Sequence, residues 1–225
     1  SLDREYFRKV SEFNSDYIFI LDKPIVSEQF FEEAEKLNLP VVWIDHHEIP
    51  DLKIPEFVNY YNPLFSGDKT NEPITNICYR ISKRKEDLWL AVAGCIADKF
   101  LPEFYEDFKK AFPDMCVNGE IDDAFKVLYD SQIGKISRMF GFGLKDRTTN
   151  VIQMLKFLIK AKSPYDVIEE SKENRILHER FNYLFPKYET LLNKAKILGE
   201  SNSKLLFFQY GGELSISSDL SNELI

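Results

Sequence analysis

Pro40-Val41-Val42-Trp43-Ile44-Asp45-His46-His47-Glu48 is the stretch on which the reading of the fold turns. Four apolar residues, opened by a proline and closed by polar side chains, have the length and continuity of a strand buried on both faces, the kind found inside a parallel sheet. In open α/β sheets ligands bind at the carboxyl ends of the strands, and Asp45, His46 and His47 emerge there together. Two of the three histidines in the chain occupy adjacent positions at that end. Taken alone, they are equally well a polar turn after a core strand.

Neighbouring segments add carboxylates at matching places. Tyr17 to Leu21 is a second apolar run of strand length, and Asp22 follows it as Asp45 follows its own strand. Between them lies a helical stretch, Ser27 to Leu37, with Ser27 as N-cap and Phe30, Phe31, Ala34 and Leu37 at helical spacing. Strand, helix and strand over about thirty residues form a βαβ unit, whose right-handed crossover puts both strand ends on one edge of the sheet. Asp22 and the Asp45-His46-His47 cluster are thereby expected to face one another. Residues 3 to 13 read as an amphipathic helix packed on the sheet, and Phe57 to Tyr61 as a third strand ended by Asn62-Pro63. A helix opens at Glu72-Pro73-Ile74-Thr75, with Thr75 read as its cap. The apolar, small-residue stretch Leu88 to Ala97 reads as a further helix with Asp98 at its end, where a lone charge is costly if simply buried. Asp and His together suit a divalent ion such as Mn²⁺ or Mg²⁺, whereas Cys78, Cys95 and Cys116 lack the spacing of a zinc site.

Asp-His-His after a buried strand, preceded by a strand ending in Asp and followed by a Gly94-x-x-x-Asp98 helix, resembles the DHH phosphoesterase superfamily. Within it the chain is most similar to the RecJ-like nucleases, and Val42 to Glu48 most resembles their archaeal members. The resemblance implies an α/β fold, a parallel sheet with flanking helices, followed by a helical segment and a long connector helix. It implies Asp22 as a carboxylate bridging two metal ions, His46 and Asp98 as direct metal ligands, and His47 as the group that approaches the substrate phosphate. Asp45 is read as the residue orienting the histidines, the role carboxylates commonly take beside ligating imidazoles. Two Mn²⁺ or Mg²⁺ ions in such a site suit phosphodiester hydrolysis. The family's first motif, an Asp-x-Asp pair after an earlier strand, has no counterpart in residues 1 to 21. Either the chain is a fragment whose parent carries it, and is then inactive alone, or it is a relative that lost the motif and one metal.

Composition sets limits. With 225 residues, 44% hydrophobic and 29% charged, the chain is long enough for one substantial core or for one domain and parts of another. No apolar run reaches the length of a membrane span and no signal peptide opens the chain, so no membrane partner and a cytoplasmic setting are expected. The formal net charge of -8 argues against a broadly basic nucleic-acid surface. A narrow basic track can coexist with an acidic exterior, and Arg80, Arg84 and Arg138 are its candidate substrate-binding members.

Domain boundaries are expected at 1–145 for the DHH core, 146–200 for the helical segment and connector, and 201–225 for the start of a second domain. From Pro102 to Lys196 the chain is almost continuously helix-like, and Arg175 to Lys196 has the spacing of one long helix, with Pro186 expected to kink it. His178 on it reads as an ordinary packing residue. Lys204 to Tyr210 reads as a strand and Ser218-Asp219 as a helix cap. The leading functional expectation is a RecJ-like exonuclease on single-stranded DNA or RNA, with replisome proteins as further partners. The alternatives are a phosphodiesterase or phosphatase for short substrates such as cyclic dinucleotides, nanoRNA or polyphosphate, and a non-catalytic replication-fork scaffold.

Overall fold

The computed structural model describes residues 7–49, 53–65, 69–199, 206–211 and 216–224. They form an α/β chain, rich in helices, that divides into two compact units, residues 1–84 and 85–225. The expected boundaries at 145 and 200 fall inside the second unit.

In the first unit the described elements run α1 (Phe7–Glu12), β1 (Ile18–Leu21), α2 (Glu28–Lys36), β2 (Val41–Ile44), β3 (Val58–Tyr61) and α3 (Ile74–Ser82). The three strands form a parallel sheet in the order β1-β2-β3. Val41 lies opposite Ile18 on one side and Val58 on the other, so β2 is hydrogen-bonded along both edges. Because side chains alternate across a strand, Ile18, Ile20, Val41, Trp43 and Val58 share one face, and Phe7, Phe30, Phe31 and Ala34 of the helices close over it. Phe30 packs edge-on to Phe7, and Trp43 edge-on to Tyr60. On the other face Ile74 and Ile77 of α3 pack against Ile44 and Val42. Phe19 and Leu21 of the edge strand lie on that side and stay exposed.

Local chemistry explains the helix ends. The Ser27 hydroxyl accepts from the Phe30 N–H at 3.2 Å and starts α2. At α3 the N-cap is Pro73, with no side-chain cap bond, and Thr75 lies inside the first turn. The expected cap at Thr75 is therefore displaced by two residues, since proline has no N–H to leave unpaired at a helix start.

The regular elements of the second unit are all helices among the described residues. Its elements are α4 (Leu88–Ala97), α5 (Tyr105–Ala111), α6 (Ala124–Asp130), α7 (Gln132–Gly143), α8 (Thr148–Leu158), α9 (Pro164–Ile168), α10 (Arg175–Gly199) and α11 (Ser217–Leu224). Helix α7 is central, packed on α4, α6 and α10. The Ser137 hydroxyl reaches across from α7 to the Ala93 carbonyl of α4 at 2.8 Å. Gly134 brings α7 so close to α6 that a Cβ there would sit 2.2 Å from the Val127 carbonyl oxygen. The long helix is continuous through Pro186. His178 on it donates Nε2–H to the Val167 carbonyl at 2.8 Å, an ordinary structural histidine as expected. The strand expected at Lys204 to Tyr210 lies partly outside the described residues, and Leu206 to Tyr210 carry no strand. A strand needs a partner for its backbone groups, and Phe207 lies 83% exposed, with no strand beside it among the described residues.

Trp43 is fully buried at the centre of the first core. Trp43→Ala is expected to lower unfolding free energy by about 3–5 kcal/mol, whereas Phe207→Ala should stay within about 0.5 kcal/mol of the parent. Urea denaturation followed by far-UV circular dichroism compares the two, and equal effects would contradict this placement of the core.

Candidate metal centre

The carboxyl ends of β1 and β2 carry the candidate site. The sheet's hydrogen bonding runs past the last strand residues: Asp22 N–H donates to the Ile44 carbonyl at 3.0 Å, and Asp45 N–H to the Tyr61 carbonyl at 3.1 Å. Both carboxylate-bearing residues are therefore held by the ladder itself. At Asp22 the chain turns sharply, with a φ of 54° in the left-handed region, a conformation that Asp tolerates better than most side chains. The indole N–H of Trp43 donates to the Lys23 carbonyl at 3.0 Å and fastens the turn to the core.

Three side chains converge above this edge. His46 Nε2 lies 3.4 Å from Asp22 Oδ1, and His47 Nδ1 lies 4.0 Å from the same oxygen. One ligand atom from each of Asp22, His46 and His47 can be chosen so that all lie within 4.8 Å of one another. The two imidazole rings meet edge to face with centroids 4.8 Å apart. Asp22 is 56% exposed, so the cluster is open to solvent on that side, while His46 is only 16% exposed.

Asp45 lies beneath and is fully buried. A buried carboxylate is costly unless hydrogen-bonded, and among the described residues its partners belong to one residue: His47 N–H donates to Oδ1 at 2.7 Å, and His47 Nδ1 lies 3.1 Å from that oxygen. The sequence reading left Asp45 to orient the histidines as a pair, but the structure gives it to His47. His46 Nδ1 is buried with no hydrogen-bond partner among the described residues. The contact is local: an Asp side chain commonly accepts from the backbone N–H two residues on, and here that places the His47 ring against the same oxygen.

Two residues not singled out from the sequence complete the support. Asn62, buried at the end of β3, donates Nδ2–H to the His47 carbonyl at 2.9 Å and to the Tyr60 hydroxyl at 3.0 Å, and its Oδ1 accepts from the Leu64 N–H. Burial pushes the Tyr60 phenol up, the hydrogen bond from Asn62 opposes this, and the Asp45 charge adds to it. Position was the available signal, since Asn62 follows β3 as Asp22 and Asp45 follow their strands.

The remaining expected site residues are Asp98, Arg80, Arg84 and Arg138. Asp98 is the C-cap of α4 in the second unit and is exposed, so the cost of burying its charge, on which its reading partly rested, does not arise. Arg80 donates to Glu72 at 3.1 Å, and Asn76 donates to the same oxygen at 2.6 Å, so this arginine neutralises a nearly buried carboxylate within its own unit. Arg84 is exposed at the end of the first unit. Arg138 lies in the second unit, its guanidinium 5.3 Å from the Phe185 ring centroid and 5.9 Å from that of Tyr129.

Comparison with known protein families, with curated proteins and with solved structures finds no match. Among the described residues no helix is long and apolar enough to cross a membrane.

The Asp45 contact fixes which His47 nitrogen carries the proton. In its neutral form His47 is expected to carry the proton on Nδ1, and Asp45→Ala should turn that form toward the Nε2–H tautomer while leaving His46 unchanged. Long-range ¹H–¹⁵N correlation spectra read both rings, and an unchanged His47 pattern would show that Asp45 does not set it.

Proposed function

We propose that Asp22 and His46 hold a divalent cation, Mn²⁺ or Mg²⁺, and that the chain carries out phosphodiester hydrolysis of the RecJ-like type on single-stranded nucleic acid. The observation that carries this reading is the convergence of Asp22, His46 and His47 at the carboxyl end of a parallel sheet. The donor set fits the ion: an exposed carboxylate oxygen and an imidazole nitrogen face each other, and neither Asp22 Oδ1 nor His46 Nε2 has a stronger partner among the described residues. The shared chemistry of oxygen and imidazole donors suits Mn²⁺ and related ions. Such a cation supplies charge neutralisation at the phosphate and an acidified water.

The protein's own groups divide the remaining work. Asp22 and His46 bind. Asp45 holds the Nδ1–H of His47, leaving Nε2 to meet a phosphate oxygen, and its buried negative charge balances the positive charge of the ring when that nitrogen also carries a proton. Asn62 fixes the His47 backbone, so the ring position does not depend on a free loop. The arrangement is a positioned donor beside a cation, the pairing that phosphoryl chemistry needs where charge develops on oxygen. Replisome proteins as partners belong to the same proposal through the archaeal resemblance.

One observation favours a shorter substrate as a second reading. With Arg80 engaged by Glu72 and the chain at -8, a long phosphate backbone meets less positive charge than a basic binding surface offers. Dinucleotides therefore belong in the assay beside single-stranded DNA and RNA.

His46→Ala is expected to weaken Mn²⁺ binding by at least about tenfold, and His47→Ala to leave it nearly unchanged while slowing hydrolysis on the order of 10²-fold. Calorimetric titration with Mn²⁺ and single-turnover hydrolysis of labelled oligonucleotides measure the two effects separately. Equal loss of metal in both variants would remove the division of roles, and Mn²⁺ binding indifferent to both would remove the centre.

A further inference from the structure

The outer side of α2 carries a feature that the metal centre does not use. Glu28, Glu32 and Glu35 stand at i, i+4 and i+7, one exposed face over about 10 Å of helix. They border a groove of about 320 Å³ whose floor is apolar, made by Val26, Phe31 and Phe57 with Ile54 and Pro55 from the segment before β3. Phe31 is almost fully buried by its own core, but Ile54 is 37% exposed. Lys53 lines the groove from the loop opposite the helix.

The charges on this helix are arranged unevenly. Glu33 is paired with Lys36 at 3.1 Å, whereas Glu28, Glu32 and Glu35 make no ion pair among the described residues. Like charges four apart on a helix repel by a few tenths of a kcal/mol. Only Glu28, at the first turn, is placed to interact favourably with the helix dipole. The row thus slightly destabilises the isolated helix, and a row of cations laid along it removes that repulsion.

We propose that this groove docks a basic amphipathic helix of a partner protein, with Lys or Arg along the glutamate row and large apolar side chains over Phe31, Phe57 and Ile54. Charge complementarity selects this occupant. Nucleic acid is repelled by three carboxylates, and a second copy of a chain at -8 brings the same sign of charge to the contact. An apolar floor beside a charged wall is the arrangement by which grooves accept amphipathic helices, reading apolar anchors and flanking charges together. The surface is separate from the Asp22–His46–His47 cluster, so it does not depend on the hydrolase reading.

The test uses a synthetic helical peptide with Lys at i, i+4 and i+7 beside a Leu stripe, and its counterpart with Glu in place of Lys. Titrated into the ¹⁵N-labelled chain, the Lys peptide should shift amides within residues 26–35 and 53–57, and the Glu peptide should not. The triple variant Glu28→Gln, Glu32→Gln, Glu35→Gln should bind it about tenfold more weakly, and Ile54→Asp should bind it more weakly still. All three glutamates are exposed, and unchanged urea midpoints would confirm that the variants fold. Shifts scattered over the surface, equal affinity for the triple variant, or no binding would each overturn the proposal. Dimerisation in sedimentation runs that Ile54→Asp abolishes would assign the groove to a second copy, and so overturn it as well.

Discussion

Trp43 joins the core of the first unit to its candidate chemistry. The ring is fully buried between Phe31 and Tyr60, and its N–H is satisfied by the Lys23 carbonyl in the turn that carries Asp22. A buried indole contributes a large apolar area and demands a partner for its single donor, so one side chain both stabilises the sheet and sets the position of a candidate ligand twenty-one residues away in sequence. The ladder does the same on either side, through Asp22 N–H to Ile44 and Asp45 N–H to Tyr61. Site geometry in this molecule is thus a property of the sheet, and the loops inherit it.

The buried charge of Asp45 organises the second layer. With no solvent to stabilise it, the carboxylate must be bonded within the protein, and the backbone and ring of His47 supply that bond. The two adjacent histidines consequently have different surroundings. His47 is anchored through one nitrogen and its carbonyl is held by Asn62, while His46 keeps a buried nitrogen without a partner among the described residues and turns the other toward Asp22. A pair identical in composition becomes a pair distinct in chemistry, which is what the separate roles in the proposed reaction require.

Helix α2 shows how much one short segment can carry. Its inner face, Phe30, Phe31 and Ala34, closes the core, its first turn is capped by Ser27, and its outer face presents the glutamate row. The inner face is legible as a 3.6-residue period in sequence. The outer face reads there as a solvated stripe, because the groove beside it is built by Ile54 to Phe57, about twenty residues downstream.

The sequence by itself determined several elements and their order: the apolar runs at 17–21, 41–44 and 57–61, the capped helix between the first two, the small-residue helix ending at Asp98 and the long helix from Arg175, though not a strand at Leu206 to Tyr210. It also determined that Asp22, His46 and His47 would share one sheet edge, since parallel strands joined by right-handed crossovers end on the same side. These are consequences of local pattern and chain chirality. What only the tertiary structure decided is which polar groups are paired. Arg80 reads as a free cation until Glu72 is found buried against it, Arg138 until its aromatic neighbours are known, and Asp45 as a common support until its bonds to His47 are seen. Hydrogen bonds and ion pairs depend on distances of a few ångströms between residues whose separation in sequence carries no such information, and their strength depends on burial, which exists only once the chain has packed.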